Sequence, residues 1–143
     1  MEENTPDWME TIDHTADIGI VVRADTVSVL FERAARGMFL LIADLPDAQP
    51  NATIEVVVEA PDREALLVRW LSELNFLHHT ENMLFCEFEV MEWDDEHLRA
   101  LARGETVRAE VDRLHTEIKA VTYHGLRVEQ KGGEWEAQVL FDV

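Results

Sequence analysis

Carboxylates stand near the ends of two alternating apolar stretches. Asp17 lies in the stretch from Ile12 to Val22, and Asp142 closes the last one, just before Val143. Alternation places Asp142 on the polar face of its strand, opposite Phe141. The two carboxylates and the main-chain oxygens of Val143 are hard ligands of the kind that Ca²⁺, Mg²⁺ or Mn²⁺ prefers. If the strand ends meet, they form a divalent-cation site; an ordinary polar strand end is the alternative.

Other residue types that commonly carry chemistry are too scattered to form a site. One cysteine and six histidines do not give the spacing of a zinc centre. The adjacent His78 and His79 fall at the end of a predicted helix, where they suit the helix dipole better than a metal. Cys86 lies among apolar residues beside Glu87 and Glu89, which disfavour a reactive thiolate. The sequence contains neither GxGxxG nor GxxxxGK[ST], so no phosphate-binding loop is predicted.

Net charge restricts the class of partner. The 143 residues include 30 acidic and 12 basic ones, for a formal net charge of −18. Because nucleic-acid binding relies on Lys and Arg at phosphates, we expect no direct nucleic-acid binding. A cation or a basic protein surface is a better match, and an acidic surface that only maintains solubility is the alternative. Without a membrane-length apolar run or a signal peptide, we expect a cytoplasmic protein with no membrane partner.

Two stretches have the apolar spacing of helices. The first runs from Thr26 to Asp44, with Asp25 or Thr26 as its cap. The second begins near Asp62 and ends around His78, and a proline at its start favours the first turn. Its predicted buried stripe consists of Leu66, Leu67, Trp70, Leu71, Leu74 and Leu77.

The remaining stretches alternate as strands do. We predict strands at 12–22, 54–58, 83–93, 97–103 and 107–128, and a last strand from 134 that follows a tight turn at Gly132 and Gly133. Helices between strands, followed by strands alone, indicate an α+β class with mostly antiparallel sheet, in one or two packed sheets, and two main helices. The length fits a single domain over residues 1–143, with a loose acidic segment at 1–10.

Four motifs together resemble the archease family. They occur in the family's order and extend from about Ile12 to the last residue, so that only the acidic start is left out. The motifs are HTADIGI at 14–20, WLSEL at 70–74, EIKAVTYHGL at 117–126 and FDV at 141–143. The resemblance implies an archease-like fold for the whole domain.

The resemblance also implies a function. Archeases are protein cofactors of the RtcB-type RNA ligase, which joins RNA ends in tRNA splicing and repair with GTP and Mn²⁺. A chain of this family would not be an enzyme itself; it would promote guanylylation and multiple turnover of the ligase, its partner. The implied cofactor is a divalent metal, Ca²⁺ first, with Mg²⁺ or Mn²⁺ as alternatives. Its ligands would be the carboxylates of Asp17 and Asp142 and a main-chain oxygen of Val143, so the end of the chain is expected to be functional.

Three further residues are predicted to support this site or to face the partner. Asp13 shares the face of Asp17 if the strand is continuous, and His14 opens the first motif. Lys119 would limit the repulsion between the carboxylates. A plain salt bridge explains Lys119 nearly as well.

Two other functions remain open at this point. The same carboxylates could serve a stand-alone metal-dependent phosphoesterase, which would turn over phosphate esters without a partner. The chain could also be a general chaperone-like interaction module, whose activity would follow exposed apolar surface and would be indifferent to chelators.

Overall fold

The computed structural model describes residues 5–13, 17–44, 48–108 and 114–143. Every strand pairing among these residues is antiparallel. The α+β class with two helices and antiparallel sheet is therefore confirmed. The elements are β1 (Met9–Asp13), β2 (Asp17–Ala24), α1 (Val27–Ile42), β3 (Ala52–Glu59), α2 (Arg63–Glu81), β4 (Met83–Trp93), β5 (His97–Thr106), β6 (Ala120–Val121), β7 (Arg127–Lys131) and β8 (Glu134–Asp142).

The strands form two sheets. In the first sheet β8 is central: β2 pairs with it on one side, and β7 and the short β6 pair with it on the other. β1 extends this sheet beyond β2. In the second sheet β5 lies between β3 and β4. The last strand of the chain is thus paired along both of its edges, which fixes the position of its end.

Both helices contact both sheets. α1 packs on β2 and β8 of the first sheet and on β4 of the second, and α2 contacts β3, β4 and β5 as well as β6 and β7. Trp70 of α2 is fully buried, and its Nε1 donates a hydrogen bond to the Phe31 carbonyl of α1 at 2.9 Å. The core therefore lies between the sheets, around the helices. No helix in the described part of the chain is long and apolar enough to cross a membrane.

Caps and turns largely follow the sequence. Thr26 caps α1 by accepting a bond from the Val29 amide, and Asp62 caps α2 by accepting one from the Ala65 amide. The turn between β7 and β8 has positive φ angles of 57° at Gly132 and 85° at Gly133, as the predicted two-residue hairpin requires.

Two predicted strands were wrong. The stretch 12–22 is not one strand but parts of the hairpin β1–β2, in which Asp13 pairs with Ile18. The stretch 107–128 is not continuous either: within its described part only Ala120–Val121 and the start of β7 are strand. The chain is bent there by a turn at Gly125, whose φ is 66°. In both regions alternation was correct locally. Residues 14–16 contain no glycine or proline that would signal the first interruption, whereas Gly125 was a turn signal that the prediction did not use.

Candidate metal centre

Strand pairing brings the two predicted carboxylate ligands together. β2 and β8 run antiparallel in a register that places Asp17 directly opposite Asp142. Residues directly opposite each other in a sheet project their side chains to the same face. The structure therefore joins two residues that are far apart in sequence into one acidic pair at the end of the sheet.

Main-chain hydrogen bonds show which kind of pair this is. The Lys119 amide donates to the Asp142 carbonyl at 2.8 Å, so the Asp142 main chain is directed towards β6 and away from β2. Asp17 and Asp142 consequently form a non-hydrogen-bonded pair, the type in which opposite Cα atoms are closest, at about 4.5 Å. This geometry allows both carboxylates to reach one ion.

The acidic pair forms no ion pair in the described part of the chain. Neither Asp17 nor Asp142 is an ion-pair partner there. Asp17 is half-buried and Asp142 is exposed. Ala120, opposite Asp142 on β6, is small and exposed, and it leaves the space beside the pair open. Like charges opposite each other destabilise a sheet, and a bound cation would remove that cost.

The donor set fits a hard cation that is held by few protein ligands. Besides the two carboxylates, the predicted ligand is a main-chain oxygen of Val143, a residue that is 40% exposed and follows Asp142 directly. Among the described residues there is no cluster of three or more His, Cys, Asp or Glu side chains that could hold a metal. Any metal at the acidic pair would therefore need main-chain oxygen and water or partner groups, which Ca²⁺ and Mg²⁺ accept.

Close packing holds β2 and β8 together beside the acidic pair. A Cβ atom on residue 19 would clash with Leu140 Cδ2 and would lie 2.9 Å from the Val139 carbonyl oxygen. Any side chain at position 19 would therefore push the strands apart two residues from Asp17. Thr122 adds two hydrogen bonds to the Leu140 carbonyl, from its amide and its hydroxyl, both at 3.0 Å.

Of the three predicted supporting residues, the structure describes Asp13 and Lys119, and it moves Asp13 away from the site. Asp13 is exposed, and its pairing with Ile18 places it on the face opposite Asp17, because the hairpin reverses the chain between them. His14 lies outside the described residues. Lys119 reaches β8 through its main-chain amide, and its exposed ammonium group makes no ion pair with a described carboxylate.

Two residues of α2 near the site were not predicted to support it. The Asn75 side-chain amide donates to the Ile118 carbonyl at 2.8 Å, and His79 Nε2 lies 3.1 Å from the same oxygen. A polar residue within the apolar stripe of α2 was the available signal for Asn75. His78, by contrast, bonds the Met83 carbonyl at 2.7 Å, and burial lowers its pKa.

A second charged pair lies on the same face, at the other end of β2 and β8. Arg23 is opposite Glu136, with Nε 3.2 Å from Oε1. Arg127 also approaches Glu136, with 2.6 Å between Nη1 and Oε2. The hydrogen bond from Arg127 above all, together with the nearby Lys131, holds the pKa of Glu136 below its ordinary value. The face of β2 and β8 thus has one neutralised end and one acidic end.

Known proteins share this two-sheet α+β architecture. The solution structure of Methanobacterium thermoautotrophicum protein 1598 matches with a TM-score of 0.75 and 35% sequence identity, over 95% of this chain and 99% of that one. A crystal structure from Thermotoga maritima, described as an archease and possible chaperone, matches with a TM-score of 0.62 over 94% of this chain and 96% of that one. Its identity is 20%, so it supports the fold alone.

Sequence comparison then gives the family. The profile of the Archease protein family (MTH1598/TM1083) matches residues 9–143. The protein archease of Methanopyrus kandleri is 42% identical over 94% of this chain and 98% of its own length, and that of Methanosarcina mazei is 41% identical over 94% of each. The chain belongs to the archease family.

Proposed function

We propose that this protein is a non-catalytic activator of an RtcB-type RNA ligase in tRNA splicing and RNA repair, and that a divalent cation at its acidic tip is required. The tip consists of Asp17, Asp142 and Val143. Membership of the archease family supports the partner. The observation that carries the metal is the Asp17–Asp142 pair, two carboxylates opposite each other that form no ion pair among the described residues.

The ligand chemistry favours Ca²⁺, with Mg²⁺ and Mn²⁺ as alternatives. Ca²⁺ accepts six to eight oxygen ligands in flexible geometry, so two carboxylates and a main-chain oxygen would leave coordination positions open. When bound, the cation would supply positive charge to a phosphate or carboxylate of the partner. The residues of this chain would hold and orient it: the carboxylates through the β2–β8 register, and Val143 through its attachment to a strand that is paired on both sides.

Electrostatics support a protein partner over RNA. With a net charge of −18, the surface favours approach to a basic protein and opposes approach to a free phosphate backbone. In this proposal the acidic tip enters a basic cleft of the ligase and promotes guanylylation and repeated turnover, while the RNA contacts remain with the ligase.

The decisive experiment measures guanylylation of an RtcB-type ligase with limiting amounts of the Asp142→Asn variant. We expect stimulation to fall at least about tenfold, because the side chain keeps its size but loses its charge. Glu134→Gln, an exposed change on the same strand, is the matched control and should stimulate normally. Thermal unfolding of both variants would show that the fold is intact. Full stimulation by Asp142→Asn would refute the role of the metal.

A chaperone-like role is the second candidate, because large apolar side chains are exposed on the described surface. Exposed apolar side chains such as Phe76 and Tyr123 would be its working surface. The same assay with protein that has first been freed of metal by dialysis, with and without added Ca²⁺ and with Mn²⁺ supplied to the ligase, separates the two: a chaperone would be unaffected by loss of Ca²⁺. Incubation with metal and a panel of phosphate esters tests the phosphoesterase alternative, and we expect no turnover.

A further inference from the structure

Two side chains of α2 converge on one carbonyl oxygen close to the acidic tip. Asn75 and His79 are four residues apart, so they lie one above the other on the same face of the helix. Asn75 Nδ2 is 2.8 Å and His79 Nε2 is 3.1 Å from the Ile118 oxygen. Because a carbonyl only accepts, His79 Nε2 must carry a proton in this contact. Both lone pairs of the Ile118 carbonyl are then used.

Asn75 is unfavourable as a packing residue. It is 7% exposed, and its Oδ1 has no hydrogen-bond partner among the described residues. An unsatisfied buried oxygen is destabilising, and a leucine, which has the same branching and the same number of side-chain heavy atoms, would not carry that cost. The contact with Ile118 is what the amide provides at this position.

The same peptide segment continues directly to Asp142. Ile118 is followed by Lys119, whose amide donates to the Asp142 carbonyl at 2.8 Å, and by Ala120, which pairs with Asp142. β6 has only two residues and is a weak support on its own. α2 is anchored in the core by Trp70, Leu71 and Leu74, which are all fully buried.

We propose that Asn75 and His79 are positioning residues for the metal centre: they fix the Ile118–Lys119 segment on α2 and so hold the Asp142 end of β8 in register with Asp17. The proposal rests on the proposed function, since it gives the acidic tip a rigid support inside the fold. Neither residue touches the metal. Their effect passes through one main-chain carbonyl and the next amide.

The test compares four variants of the full chain. His79→Ala removes one donor, and Asn75→Leu removes the other together with the unsatisfied oxygen. His79→Gln is the conservative variant, because its amide can donate to the Ile118 oxygen. Thr80→Val is the control: it removes the hydrogen bond from Thr80 to the Phe76 carbonyl on the same helix without affecting Ile118.

Two measurements decide the proposal. Amide hydrogen exchange of Lys119 reports the position of the segment without metal, and Ca²⁺ titration reports the centre. We expect His79→Ala and Asn75→Leu to speed exchange of Lys119 and to weaken Ca²⁺ binding about tenfold, as loss of outer support for metal ligands commonly does. His79→Gln and Thr80→Val should behave like the unchanged protein, and Asn75→Leu should lose no thermal stability.

The outcomes against the proposal are distinct from failure of the proposed function. Unchanged Lys119 exchange in His79→Ala and Asn75→Leu would overturn it, and so would faster exchange with unchanged Ca²⁺ affinity, since the contact would then be structural only. If the unchanged protein binds no divalent cation, the proposed metal centre fails by that result. In that case the amide hydrogen exchange of Lys119 alone would show whether Asn75 and His79 position the segment that contacts Asp142.

Discussion

The two ends of the β2–β8 strand pair have the same geometry and opposite electrostatics. Asp17 faces Asp142 at one end, and Arg23 faces Glu136 at the other, six residues along each strand. Both pairs lie on the same face, and both are non-hydrogen-bonded pairs, because Asp142 and Glu136 are separated by an even number of residues. The Arg23–Glu136 end is neutralised within the chain, whereas the Asp17–Asp142 end has no ion-pair partner among the described residues.

This difference separates what the sheet supplies from what the residue types supply. Register and strand direction bring opposite side chains close at both ends, so proximity alone does not make a site. At the Arg23–Glu136 end the charges satisfy one another and contribute to stability. At the Asp17–Asp142 end the same geometry leaves repulsion that an external cation can relieve. The predicted metal centre is thus a cross-strand pair of like charges that lacks an oppositely charged partner among the described residues.

The largest expected effect comes from making the acidic end resemble the neutralised one. Asp17→Lys should weaken Ca²⁺ binding by at least about 100-fold, or about 2.7 kcal/mol, and abolish ligase stimulation. Without metal it should stabilise the protein by about 0.5–1 kcal/mol, because a cross-strand ion pair replaces repulsion. Isothermal titration and urea unfolding measure the two effects.

Asp13→Lys is the matched control for that change. It alters the net charge of the protein by the same amount, but Asp13 lies on the opposite face. We expect Ca²⁺ binding close to that of the unchanged protein. An equal loss of binding in both variants would mean that net charge, and not the Asp17–Asp142 pair, attracts the cation.

A smaller effect is expected from the reverse change at the neutralised end. Arg23→Glu removes ion pairs with Glu10 at 2.6 Å and Glu136 at 3.2 Å and places three acids together. Urea unfolding should show a loss of about 1–2 kcal/mol. Arg23→Gln removes the same ion pairs without adding a charge, so the difference between the variants isolates the repulsion.

Arg23→Glu also sharpens the definition of the metal centre. We expect it to create no Ca²⁺ site of comparable affinity, because Arg127 and Lys131 remain near Glu136 and keep its carboxylate paired. If a second site with the affinity of the first appeared in titration, a cross-strand carboxylate pair would be sufficient. The proposed participation of Val143 would then be unnecessary.

The sequence predicted those features that depend on local periodicity. The apolar spacing of α1 and α2, the glycine turn before β8 and the polar face of Asp142 could all be inferred, because each depends on residues within a few positions. The family motifs added the assignment of Asp17 and Asp142 to one site. The register that places them opposite each other joins residues at the two ends of the chain, and no local pattern contains it.

Non-local hydrogen bonds also explain what the sequence analysis did not predict. The hairpin between β1 and β2 has no glycine or proline in the residues that join its strands, so alternation continued through it and placed Asp13 on the wrong face. Likewise, the Ile118 carbonyl is contacted by the side chains of Asn75 and His79 and not by a neighbouring strand. The residues before Ala120 therefore do not form the strand that their alternation predicted. Side chains from a distant helix determine the backbone there.

The smallest expected effect is a pH dependence that belongs to the neutralised end. Arg127 lowers the pKa of Glu136 from its ordinary value of 4.5, so the folded state binds that proton less readily than the unfolded state. The stability from Glu136 is therefore complete above about pH 4.5 and is lost as the pH falls through the lowered folded pKa. Urea unfolding between pH 7 and pH 3 should show a loss below about 1 kcal/mol that is absent from Glu136→Gln and present in Asp142→Asn. If the loss disappeared in Asp142→Asn instead, the acidic end would control acid stability, and the contrast between the two ends would have to be reversed.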